Sequence, residues 1–140
     1  MREILFRGKT RQGEWKESSS VFIRGELAIM LNERPIKELI KDKNGELVDV
    51  IFSFCTVEKN TVGQFIGLTD KNGKKIFEGD IVKFYWFGSD DISTIGDIRY
   101  NEKSCRYEWY EDFLYPCGFN NTTTIEVIGN THDNPELLGE

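Results

Sequence analysis

Val48, Val50, Phe52 and Phe54 alternate with Asp49, Ile51 and Ser53. A period of two places alternate side chains on opposite faces of a strand, so Leu47 to Val57 is predicted as one long strand with a well-buried face. Toward the N-terminus, Ile4-Leu5-Phe6 and Val21-Phe22-Ile23 flank a polar stretch carrying Gly13 and Ser18-Ser19-Ser20, a pattern of two strands joined by a loop or hairpin with Trp15 covering its edge. Between Leu27 and Ile40 two readings stay open. Ile36, Leu39 and Ile40 have helical spacing, while Asn32 and Pro35 permit a turn before a strand. Downstream, Ile81 to Phe87 and Ile95 to Tyr100 read as strands separated by Gly88-Ser89-Asp90-Asp91, and Arg106 to Tyr110 and Thr123 to Ile128 supply two more. At the end, Asn134 suits a helix cap, Pro135 the first helical position and Gly139 a stop, which predicts one helical turn docked by Leu137 and Leu138.

The breaks between these segments carry turn chemistry. Asp70-Lys71-Asn72-Gly73 tolerates positive φ and is flanked by apolar strand formers, the local signature of a hairpin, and Glu78-Gly79-Asp80 predicts a second sharp reversal. Asp42-Lys43-Asn44-Gly45 repeats the first tetrapeptide, but the residues after the two copies differ, so two independent turns using the same chemistry are expected rather than a duplication. Glu58-Lys59-Asn60-Thr61 is a polar break, with Asn60 or Thr61 expected to cap a short helical turn. Short strands at regular spacing, linked by Gly and Asn/Asp turns, favour a small antiparallel barrel over a helical bundle.

The stretch VGQFIGLTDKNGKKIFEGDIVKF, Val62 to Phe84, resembles the YopX family of small phage and prophage proteins. Phe6-Arg7-Gly8-Lys9 with Gly13-Glu14-Trp15 is similar to that family's opening hairpin. Ile125 to Asn130, followed by Asn134-Pro135-Glu136-Leu137-Leu138, is similar to its closing strand and tail. The segment from Ser18 to Phe54 lies outside these likenesses. The resemblance implies a C-terminal part of SH3-type barrel character and carries no biochemical role with it. The expected fold is therefore mainly β, with few short helices: an N-terminal strand-rich region over 1–61 and an SH3-like barrel over 62–140, ending in a short helical turn.

Composition narrows the partners. With 140 residues and 39% hydrophobic positions, including 10 Phe, 5 Tyr and 3 Trp, the chain has apolar mass enough for one core or two small ones without disulfides. Eighteen basic against 24 acidic residues leave a net charge of −6, which opposes approach to phosphate-rich surfaces. Cys55, Cys105 and Cys117 are far apart with no paired spacing, and His132 is the sole histidine, so neither a structural metal site nor a disulfide framework is expected. The start Met1-Arg2-Glu3-Ile4 lacks the apolar region of a secretion signal, and Leu27 to Leu31 is too short to span a bilayer. Residence in the cytoplasm of a bacterial host is the expectation, with no membrane partner.

Candidate chemistry is sparse. Glu78 and Asp80 flank a turn, and paired carboxylates suit acid–base work or a hard cation, yet an Asp beside Gly is more simply an acceptor for the N–H groups a reversal leaves unpaired. Asp70, Asn72 and Glu78 lack the spacing of a calcium loop, Asp90-Asp91 reads as solvated, and no phosphate-cradling Gly-Lys-Ser/Thr loop is present. His132 has no spacing that pairs it with a cysteine nucleophile and reads as an exposed loop residue. Rings are the exception. Phe84-Tyr85-Trp86-Phe87 must point two side chains away from whichever face is buried, and Tyr107, Trp109, Tyr110, Phe113 and Tyr115 add a second group beside Arg106. Tyr85, Trp86, Tyr107, Trp109 and Tyr110 form the candidate binding surface, with packing inside the protein as the plainer alternative. The expected function is non-enzymatic, without cofactor, through a protein partner or self-association. Single-stranded nucleic acid stacked on these rings beside Lys71, Lys74, Lys75 and Lys83 is the alternative.

Overall fold

In the computed structural model, residues 3–86, 91–111, 116–117 and 124–139 are described, without the side chains of 110, 111, 116 and 117. The chain is mainly β and divides into two units, Ile4–Val62 and Met1–Glu3 with Gly63–Glu140.

In the first unit, β1 (Phe6–Lys9) and β2 (Trp15–Ser18) pair antiparallel, Phe6 opposite Ser18 and Lys9 opposite Trp15. Thr10 closes the turn between them: its N–H donates to the Glu14 carbonyl and its hydroxyl accepts the Glu14 N–H. Trp15 lies half-buried beneath the Arg7 guanidinium, 4.9 Å from its ring centre. The strand partners differ from the expected ones, because Val21–Ile23 turns away from Ile4–Phe6. β3 (Val21–Arg24) pairs instead with β4 (Leu27–Lys41), Arg24 opposite Leu27, and β4 pairs with β5 (Leu47–Glu58), giving the order β3-β4-β5. The open question over Leu27 to Ile40 resolves as strand, carried past Pro35 by an irregularity between Leu31 and Ile36 that accommodates a residue lacking an N–H.

The core of this unit is Ala28, Met30 and Val57, with Phe6, Val21, Cys55 and Val62 packed around it. Gly8 allows the close approach of β1: a Cβ there would lie 2.7 Å from Val57 Cγ2. The turn Lys59–Thr61 is 3-10, and Thr61 closes it rather than capping its start. The Thr61 hydroxyl donates to the Glu58 carbonyl at 2.6 Å and accepts the Lys9 N–H at 2.8 Å.

In the second unit, β6 (Gly63–Thr69) and β7 (Lys75–Phe77) form a hairpin about Asp70–Lys74. Five strands follow: β8 (Asp80–Tyr85), β9 (Ser93–Asn101), β10 (Arg106–Glu111), β11 (Pro116–Cys117) and β12 (Ile125–Asn130). They form an antiparallel sheet of order β11-β10-β9-β8-β12. Closure of this sheet on itself into the expected SH3-like barrel is not among the pairings of the described residues; the mainly β class holds. Ile66, Ile76, Val82, Ile98, Trp109 and Ile125 make the core.

Asp80 is 1% exposed, and its carboxylate accepts the Phe77 N–H at 2.8 Å, the turn-building role expected of it. Pro135–Leu138 forms a 3-10 turn that lacks the expected Asn134 side-chain cap. The Asn134 Oδ1 instead accepts the Asn130 N–H. Leu137 and Leu138 are half-buried, and His132 is exposed.

Candidate functional site

The rings singled out in the sequence are divided by the structure. Trp109 is 1% exposed and stacks on Phe84 with ring centres 5.3 Å apart, so it belongs to the core and presents no surface. Its Nε1 is buried without an acceptor among the described residues. Trp86 packs edge-on to Phe84 at 4.8 Å and donates from Nε1 to Thr94 Oγ1 at 2.6 Å. Tyr107 meets Tyr100 edge-on and donates its hydroxyl to Gln64 Oε1 at 3.1 Å. Tyr85 is half-buried: its hydroxyl donates to Glu126 Oε2 at 2.7 Å, with Lys71 Nζ 4.2 Å and Lys83 Nζ 5.5 Å from its ring centre. The Tyr110 side chain, Phe87, Phe113 and Tyr115, together with Asp90 and the Cys117 side chain, lie outside the described residues. The plain reason for the correction at Trp109 is geometry, since its strand sits between β9 and β11 with its indole turned onto the β8 side chains.

A different surface is open. The alternation in β5 was expected to be buried, and the strand forms, yet Val48 is 61%, Phe52 49% and Phe54 56% exposed. The even positions therefore face away from the core, which takes Cys55 and Val57 from the odd ones. Cross-strand pairing extends the face. Phe22 stands opposite Ile29, Leu31 opposite Phe54, Ile36 opposite Phe52 and Leu39 opposite Val50, each pair sharing one side of the sheet. Phe22, Leu27, Ile36 and Leu39 are each exposed by about half or more. The result is one apolar stripe along β3, β4 and β5. From residue 32 to residue 56 no side chain is buried.

At the end where β3 turns into β4, Arg24, Leu27 and Glu58 form one cross-strand row, and an open cleft of about 870 Å³ there is lined by Arg11, Glu26, Leu27, Glu58 and Lys59 among others. The stripe is thus apolar along its length with charges of both signs at its rim. An isolated exposed Leu means little, but a contiguous apolar patch rimmed by polar groups marks a contact surface. Sequence periodicity identified half of this face, in β5, and assigned it to the core.

One buried carboxylate is tied into the turn between β9 and β10. Glu108, 1% exposed, accepts from Asn101 Nδ2 at 2.9 Å, Arg106 Nε at 2.7 Å and the Ser104 hydroxyl at 3.2 Å. The Asn101 bond first, then the Arg106 bond, hold its carboxyl below the ordinary value against the opposing effect of burial. Among the described residues no group of three or more His, Cys, Asp or Glu is arranged to hold a metal ion, and no helix is long and apolar enough to cross a membrane.

Compared with known proteins, the sequence model of the YopX protein family matches residues 6–139. No curated protein matches the chain. Among solved structures it is similar to protein EF1440 from Enterococcus faecalis, at 25% identity and a TM-score of 0.59 over 99% of each chain.

Proposed function

The chain belongs to the YopX family, and from that membership we propose a non-enzymatic accessory protein of a phage or prophage, working in the bacterial cytoplasm through protein contacts. The supporting observation is the stripe along β3, β4 and β5, where Phe22, Leu27, Ile36, Phe52 and Phe54 each keep about half or more of their surface exposed. Aromatic side chains such as Phe are enriched in the apolar centre of protein–protein interfaces. Capture from host lysate with the tagged chain tests the reading: the wild-type chain retains protein through this face, its own copies included. The Phe52→Glu/Phe54→Glu variant loses what is retained. Equal recovery by both forms would remove this face as the site of action.

A second reading, single-stranded nucleic-acid binding, draws on Tyr85, whose ring lies against Lys71 and Lys83. Glu126 occupies the same spot, accepting the Tyr85 hydroxyl and lying 3.6 Å from Lys71 Nζ, which offsets the positive charge. Quenching of tryptophan fluorescence by an oligonucleotide, weakening as salt rises, would favour this reading, and a flat titration at low salt would dismiss it.

A further inference from the structure

We propose that the apolar stripe of β3, β4 and β5 is covered by the same stripe of a second copy of this chain, about a two-fold axis running along β4. The proposal rests on the protein-contact reading and narrows it to one occupant.

Area is the first argument. Phe22, Leu27, Ile36, Leu39, Phe52 and Phe54, each about half exposed, present on the order of 600 Å² of apolar side chain, since a fully buried ring covers 150–250 Å². That stands at the top of the ~300–600 Å² found for the largest patch on an ordinary monomer and somewhat below the ~800 Å² per partner of a standard interface.

Composition is the second. Positions 48, 50, 52 and 54 are apolar without interruption. Surfaces that bind and release are about as polar as the rest of a protein, whereas permanent interfaces resemble a core cut in half. A stripe this apolar suits a permanent occupant, and a second copy is the one partner made in fixed proportion with the chain.

Charge supplies the orientation. Arg24 on β3 and Glu58 on β5 flank Leu27 in a single row. Rotation about an axis along β4 lays β3 of one copy over β5 of the other, as in aligned sheet packing. Each Arg24 then faces Glu58 of the second copy, twice per dimer, and no carboxylate of this row opposes another. The pairing fixes the orientation without adding a local clash to the repulsion between two copies of net charge −6.

The test combines mass, charge exchange and photocrosslinking on the full chain. Light scattering is expected to give twice 16.3 kDa. Phe54→Glu is expected to shift the protein to the monomer mass with an unchanged circular dichroism spectrum, because Phe54 touches no core. Arg24→Glu is expected to weaken the dimer by about tenfold or more through like-charge opposition, and Arg24→Glu/Glu58→Arg to restore it. A wild-type monomer at every concentration, a dimer indifferent to Phe54→Glu, or a double variant that stays weak would overturn the proposal. Benzoylphenylalanine in place of Phe54 separates the two levels of the argument. Crosslinking to a second copy in the purified protein supports the dimer. Crosslinking only to another protein in lysate overturns the second copy and leaves the protein-contact reading standing, and no crosslink in either setting removes both.

Discussion

Asp42-Lys43-Asn44-Gly45 and Asp70-Lys71-Asn72-Gly73 fold into the same turn. The Asp carboxylate accepts the N–H groups two and four residues on, at 2.8 and 3.0 Å for Asp42 and 2.9 and 2.9 Å for Asp70, and the closing glycines have φ 81° and 82°. That much was legible in four residues, because Asp and Gly encode the turn without help from the rest of the chain. Their surroundings were not. Asp42 is exposed, whereas Asp70 is 6% exposed and its other oxygen accepts the Val127 N–H at 2.9 Å, a bond to β12 that no local pattern announces. Asp70→Ala removes the acceptor of three part-buried N–H bonds and is expected to cost about 3 kcal/mol, against less than about 1 kcal/mol for Asp42→Ala, whose two bonds are exposed. Urea midpoints of the two variants check the difference, and equal losses would contradict it. Glu108 gives a pH signature at the same scale. Its carboxyl is depressed in the folded chain, so the stability it contributes is present above its ordinary value of about 4.5 and is lost as pH falls toward the lowered one. The gap in urea midpoint between wild type and Glu108→Gln is therefore expected to hold at neutral pH and to narrow in acid. A gap independent of pH would show that the ionised carboxylate contributes nothing.

Strands were the most readable elements, and their neighbours the least. β5, β8, β9, β10 and β12 sit where alternation and turn residues put them, since a period of two is written into consecutive positions. β4 was hidden by Pro35 and by apolar spacings that fit a helix equally well, and only pairing with β5 on one side and β3 on the other decides between them. Which face of β5 is buried depends on what lies over it. Cys55 and Val57 are covered within the first unit, while Phe52 and Phe54 are not. Amphipathic alternation records that a face is meant to be covered and says nothing of whether the cover belongs to the same chain. The outer part of β4 and β5 is consequently expected to be dispensable for the fold of a single copy. Asn32 Nδ2 donates to Ser53 Oγ, so the two strands are in contact just before the irregular stretch. Excising residues 33–52 and joining Asn32 to Ser53 through Asn-Gly removes no buried side chain. Stability of the monomer is expected to change by no more than about 1 kcal/mol, comparable to an ordinary surface change, while association is lost. Unfolding of the shortened chain would show that the arm supports the core instead.

Acidic charge over the whole chain was legible from composition, and its consequence takes a definite sign under the proposed contact between two copies. Two copies that each carry −6 repel across any distance that salt does not screen. Screening acts over ~10 Å at 0.1 M ionic strength and ~3 Å at 1 M, so added salt removes this repulsion while leaving burial of the stripe intact. The opposing effect, loss of the Arg24 and Glu58 attraction, is confined to an exposed rim where a pair is worth roughly 0–1 kcal/mol. Repulsion between whole molecules outweighs it. Association is therefore expected to tighten as sodium chloride is raised, and again as pH is lowered toward the pI near 4.9, where the net charge vanishes. Phosphate-directed binding behaves in the opposite way, falling linearly with the logarithm of salt concentration. Sedimentation equilibrium across a salt series separates the two cases: a dissociation constant that decreases with salt fits an apolar contact between like-charged copies, and one that rises steeply would mean that charge, not the β3–β4–β5 stripe, holds the assembly together.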